Sequence, residues 1–119
     1  MAEWVVVSYR DARGRIPVDD YLDTVQVKDR ARVLRAIELL EDYGPMLRMP
    51  HSRHLRGKVW ELRVDARPNS YRVLYSAAPA GKFVLLHIYA KRGEKTPEGE
   101  METAERRLAD FLARSGVHE

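Results

Sequence analysis

Hydrophobic and polar positions along the chain sort into four stretches with strand character and three with helical spacing. Glu3 to Tyr9 (EWVVVSY) is rich in β-branched and aromatic residues, which pack well on a pleated surface, and predicts a first strand. After the turn-like DARGR, Pro17 opens a helix with Val18, Tyr21, Leu22 and Val25 at i, i+3, i+4 and i+7, the spacing of one helical face. A second helix is predicted from Lys28 to Tyr43, with Val33, Leu34, Ile37 and Leu40 as its stripe and Gly44-Pro45 as its stop. MLRMPHSRH shows no period and reads as an irregular, basic connection. Three strands then follow, Val59–Asp65, Tyr71–Ala77 and Lys82–Ala90. The segments joining them, ARPNS and APAG, hold the Pro, Asn and Gly that suit turns between antiparallel strands. Thr96 is set to cap a last helix, with Pro97 at its first position and Met101, Ala104, Leu108, Phe111 and Leu112 along one side.

The order β-α-α-β-β-β-α is that of a small α+β protein, an antiparallel sheet with helices packed on one face. With 119 residues and no repeat, low-complexity run or long linker, the chain is expected to form one domain over residues 1–119. Side chains alternate between the faces of a strand. Trp60, Leu62 and Val64 therefore join Tyr71, Val73 and Tyr75 on the helix-covered side, and Glu61, Arg63 and Arg72 meet on the other. FVLLHIYA is apolar on both faces and delivers Lys91 and Arg92 to the rim, with Lys95 just beyond. The expectation is a core on one side and an open cationic floor on the other.

Composition sharpens this only in part. The 45% apolar content, with two Trp, six Tyr and two Phe, is enough for a core, and the 33% of charged residues are dispersed, so disorder is not expected. No apolar run approaches the ~20 residues that span a bilayer. The N-terminus has no basic region or cleavage site and reads as a strand, so a cytoplasmic protein without membrane contact is expected. The absence of cysteine excludes a disulfide scaffold, a thiolate metal site and a cysteine nucleophile. The formal net charge is +3, but ten Lys/Arg against three Asp/Glu lie between Arg53 and Lys95, +7, while eleven bases and fifteen acids elsewhere leave −4. That polarity fits a polyanionic partner, nucleic acid first, or a merely solvated sheet face.

The runs LRGKVWELR, YRVLY and LLHIYAKRGEKTP, in this order, resemble the HigB-like branch of the RelE/ParE toxin superfamily, type II toxins that include phage-derived "host inhibition of growth" proteins. The resemblance extends over nearly the whole chain, since the element order is also the superfamily's. It implies a metal-independent endoribonuclease without cofactors, cleaving mRNA on the ribosome by attack of a ribose 2′-OH on the adjacent phosphate. It further implies a cognate helix-turn-helix antitoxin, and allows a heterotetramer with it. By position, Arg63 and Arg72 match the family's cleft arginines, Arg56 and Lys58 its basic pair, and Lys91, Arg92 and Lys95 the cluster after the last strand; Arg53 adds a further phosphate contact. Arginine suits phosphate because its fixed fork grips two oxygens. Glu61 is an obvious proton acceptor or, alternatively, the residue that orients an arginine; a lysine base needs a pKa depressed by like charge. The chain departs from RelE in having no tyrosine after KRGEKTP. The same fold also hosts ParE-like gyrase inhibitors, and a non-catalytic relative that binds RNA or only its antitoxin is a third reading.

Other motifs carry less. His51-x-x-His54, next to Pro50, lacks a third ligand at sensible spacing, so no metal site is expected. His87, between Leu86 and Ile88, reads as a core or edge histidine, and Tyr71, Tyr75 and Tyr89 as packing residues.

Overall fold

All four expected strands form, and a fifth joins them. The computed structural model describes residues 3–115, so the ends of the expected 1–119 unit lie outside the described residues. In chain order the elements are β1 (Val5–Ser8), α1 (Pro17–Leu22), α2 (Val27–Tyr43), β2 (Ser52–Arg56), β3 (Val59–Ala66), β4 (Asn69–Ala78), β5 (Lys82–Ala90) and α3 (Glu98–Arg114). The sheet runs β1-β5-β4-β3-β2, antiparallel throughout except that edge strand β1 is parallel to β5.

The additional strand, β2, replaces part of the irregular connection expected around MLRMPHSRH. Its sequence SRHLR has one apolar residue and no β-branched one, so nothing local marks it. Main-chain pairing holds it in place, with Ser52 opposite Leu62, Arg53 opposite Glu61 and His54 opposite Trp60. The buried Ser52 hydroxyl also meets the Tyr75 hydroxyl at 2.6 Å.

The helices do not share one face, which corrects that part of the expectation within an α+β fold that otherwise holds. α1 and α2 bury Val18, Leu22, Val33 and Leu40 against Leu62, Val64, Val73 and Leu85. α3 crosses the opposite face, where Met101, Ala104 and Leu108 meet Val59, Leu74, Val84 and Leu86. The physical reason lies in β5. Val84 and Leu86 are apolar on the second face too, and each such side chain contributes about 1.5–3 kcal/mol only if water is removed from it. The register shift beside Leu74 and Tyr75 sends Leu86 and His87 to the same side, and His87 meets Glu100 of α3 at 2.6 Å.

Local differences follow from packing. Leu34 is exposed, not part of the α2 stripe, whereas Asp29 on the same helix is fully buried. Asp29 accepts hydrogen bonds from the Tyr71 hydroxyl at 2.5 Å and the Asn69 amide at 2.9 Å, which tie α2 to the β3–β4 hairpin. Gly44 ends α2 at φ 54°, and a Cβ there would collide with the Trp4 indole ring, so only glycine fits. Thr96 does not cap α3: Pro97 occupies the cap position, and the Thr96 hydroxyl lies beside that of Tyr89.

Candidate functional site

Three neighbouring strands place charged side chains around one carboxylate. On the α3 side of the sheet, Glu61 of β3 faces Arg53 on β2 directly, Arg63 two residues along its own strand, and Arg72 diagonally on β4. These are the positions from which side chains on one face of a sheet can touch. Glu61 has no solvent exposure; its Oε2 lies 3.1 Å from Arg53 Nε and 3.5 Å from Arg63 Nη1, and its Oε1 3.6 Å from Arg72 Nε. Arg63 and Arg72 are directly paired across β3 and β4, an arrangement that like charge disfavours. The carboxylate next to them offsets that repulsion, and it is itself held in the interior by the cations, since an unpaired buried charge is expensive.

The arginines differ in what they expose. Arg53 and Arg63 keep 45% and 31% of their side chains in solvent, while Arg72 is a nearly buried floor that donates to the Tyr71 carbonyl at 3.0 Å. Burial and the facing Arg63 push the Arg72 guanidinium below its ordinary pKa. Three guanidinium groups on one carboxylate leave the cluster with surplus positive charge.

Lys91, one residue past β5, extends the cluster. Its pKa is lowered, first by burial and then by the charge of Arg72. Its Nζ donates to the Glu94 carbonyl at 3.0 Å. Tyr89, opposite Arg72 in the β4–β5 register, is buried, with the Thr96 hydroxyl beside its own. Burial raises the Tyr89 pKa, so the phenol keeps its proton. Tyr89 read as a packing residue in sequence; its neighbour Arg72 is fixed only by the pairing of β4 with β5.

Of the nine candidate residues, the structure thus gathers Arg53, Glu61, Arg63, Arg72 and Lys91. Because no part of Glu61 is open to solvent, it cannot meet a substrate directly in this structure. Arg56 is engaged elsewhere, bridging β2 to α3 through Glu98 at 2.5 Å and Glu105 at 2.8 Å, which hold its pKa well above the ordinary value. Lys58 lies at the β2–β3 turn beside an apolar cleft lined by Trp60, Ala77 and Leu112. Arg92 and Lys95 are exposed in the loop before α3. His87 is locked between Glu100 and Arg107, and the His54 ring is engaged with the Gly57 carbonyl.

A family model described as phage-derived protein Gp49-like (DUF891) matches residues 20–109. The chain belongs to this family. Gp49-like proteins are a toxin–antitoxin-associated, RelE-like family, and membership implies an antitoxin partner. No curated protein matches the chain. The Gp49-like match takes in β2 through β5 and most of α3, and so every residue of the charged cluster. Among the described residues no helix is long and apolar enough to cross a membrane.

Proposed function

We propose that this Gp49-like protein is the toxin of a type II toxin–antitoxin pair in the HigB-like branch, and that it cuts mRNA on the ribosome, in the cytoplasm. The observation that carries the reading is the buried carboxylate outnumbered by arginines, with a lysine of lowered pKa at its edge. The cluster leaves cations over, and the partly exposed guanidinium groups of Arg53 and Arg63 offer a phosphodiester a fork of donors.

In the reaction, the ribose 2′-hydroxyl gives up its proton to solvent water as its oxygen bonds to phosphorus, and the bond to the 5′-oxygen breaks, leaving a 2′,3′-cyclic phosphate and a 5′-hydroxyl. Arg53 and Arg63 take the phosphate oxygens, with Arg72 beneath, and stabilise the charge that gathers on them in the transition state. Glu61 acts as a positioning residue that keeps the guanidinium groups from splaying. Lys91 protonates the leaving 5′-oxygen, since burial and the charge of Arg72 loosen its proton. No metal or cofactor enters this scheme. A helix-turn-helix antitoxin silences the protein by covering the same cations, in a heterotetramer.

Primer extension on cellular mRNA after induced expression tests the reading. New mRNA 5′ ends that appear with the native protein and vanish with Arg63→Ala are the expected result. Intact mRNA with trapped gyrase–DNA complexes would make the protein a ParE-like poison instead. Intact mRNA without such complexes would leave a relative that only binds.

A further inference from the structure

Strand β2 stops pairing at Ser52, opposite Leu62, and the Arg63 N–H closes the ladder on the His51 carbonyl at 2.9 Å. Beyond that point the outer edge of β3 has no strand beside it among the described residues. Between this edge, the β3–β4 turn and the outer side of α2 runs an open trough of about 1150 Å³. Small-molecule clefts hold roughly 300–1,000 Å³ and are mostly apolar. This one is lined by Arg32 and Arg35 of α2, Arg67 of the turn, Arg63 and Arg72 of the charged cluster, and His51.

Among the described residues the only carboxylate on the trough wall is Asp65, paired with Arg67 at 3.3 Å, and Arg35 pairs with Glu38 at 3.2 Å. Both pairs are exposed to solvent, where such pairings are weak and yield to a multivalent anion. Among the described residues Arg32 has no carboxylate within 4.0 Å. Lys28, Arg32 and Arg35 recur at i, i+4 and i+7, one face of α2, and Lys28 fastens that face to the turn by donating to the Arg67 carbonyl at 2.9 Å. Among the described residues the lining contains no Phe, Tyr or Trp, so it offers a grip on phosphates rather than platforms for bases.

We propose that the trough carries the single-stranded RNA that flanks the scissile phosphate, holding its backbone without reading its sequence. Continuity decides the occupant: Arg63 and Arg72 belong to both the cluster and the trough, so a strand bound at one must leave through or past the other. The inference rests on the ribonuclease reading of the cluster and extends it.

The test is the affinity of the full-length protein for 2′-O-methylated oligoribonucleotides, a dinucleotide and a longer strand, as a function of salt. The native protein gains affinity on lengthening. Arg32→Glu with Arg35→Glu removes that gain, flattens the slope of log K against log salt by about 1.4 (~0.7 for each phosphate that is no longer neutralised), and leaves the dinucleotide unaffected. Arg32→Gln with Arg35→Gln serves in its place if charge reversal disturbs folding. A double variant that keeps both the length gain and the slope overturns the proposal. So does one that keeps RNA affinity but releases an acidic antitoxin segment. If the native protein cuts mRNA yet gains nothing on lengthening, the trough proposal falls and the ribonuclease reading stands. If mRNA stays whole while the length gain is present and lost in the variant, the ribonuclease reading falls and the trough remains an RNA groove.

Discussion

Asp29 and Glu61 are both fully buried carboxylates, and they are held in opposite ways. Asp29, under α2, is held mainly by short hydrogen bonds from neutral donors, Tyr71 and Asn69, with Lys28 a distant 3.8 Å away. Glu61, on the α3 side, is held by cations alone, at 3.1 to 3.6 Å, and they outnumber it. Asp29 keeps its neighbours close and leaves little charge over, as a structural fastener should. Glu61 leaves its neighbours unbalanced and partly wet, ready for a second anion. Burial of a carboxylate therefore does not by itself mark a site; the proposed function rests on the surplus of cations and on the exposure of Arg53 and Arg63.

Breaking the proposed functional side is expected to give the largest effects. Lys91→Gln should slow cleavage by about 10²–10⁴-fold, the usual worth of a positioned proton donor. In the native protein, single-turnover cleavage should also decline as pH rises through the Lys91 pKa, below the ordinary 10.5, and the variant should lose that decline. Arg63→Ala should cost about 10²–10³-fold in the same assay, as for removal of one transition-state donor, with a melting temperature lowered less than by Glu61→Gln, because Arg53 and Arg72 still face the carboxylate.

Substituting the two carboxylates compares them directly. Glu61→Gln should destabilise the fold by ~1–3 kcal/mol in denaturant titration, less than the 3–5 of a fully buried pair because Arg53 and Arg63 remain partly in water. Sulfate should restore part of that loss by taking the place of the carboxylate. Asp29→Asn should lower the melting temperature too, but sulfate should restore nothing specific, and an equal sulfate response in both variants would erase the contrast. Acid sharpens it further. Tyr71 and then Asn69 lower the Asp29 pKa below 3.8, so its stabilisation is complete above that value and is lost as pH falls through the lowered one. Asp29→Asn should flatten that part of the stability profile. The smallest effect is expected from Arg56→Ala, whose exposed bridge to Glu98 and Glu105 should leave cleavage unchanged and the melting temperature barely moved.

Much of this was legible in the sequence. Strand parity put Glu61, Arg63 and Arg72 on one face, and the Gly44 stop follows from local conformation, whereas Leu34 of the expected α2 stripe is exposed and Val25 lies beyond the end of α1. The cluster's completion was not legible. Arg53 belongs to it only because SRHLR is pulled into a strand by β3, and Tyr89 only because the β4–β5 register sets it beside Arg72. Arg56 looked like its equal in charge and spacing, yet α3 brings two glutamates to it.

The sequence by itself determined which side chains share a strand face and where α2 stops, because these depend on spacing along the chain and on backbone preference at single residues. Tertiary structure decided which cations remain available. It set α3 on the second face, recruited β2 at the edge, and enclosed Glu61 among three arginines while Glu98 and Glu105 took Arg56. The reason is that charge acts over the few ångströms between side chains, and those distances are fixed only when distant segments pack.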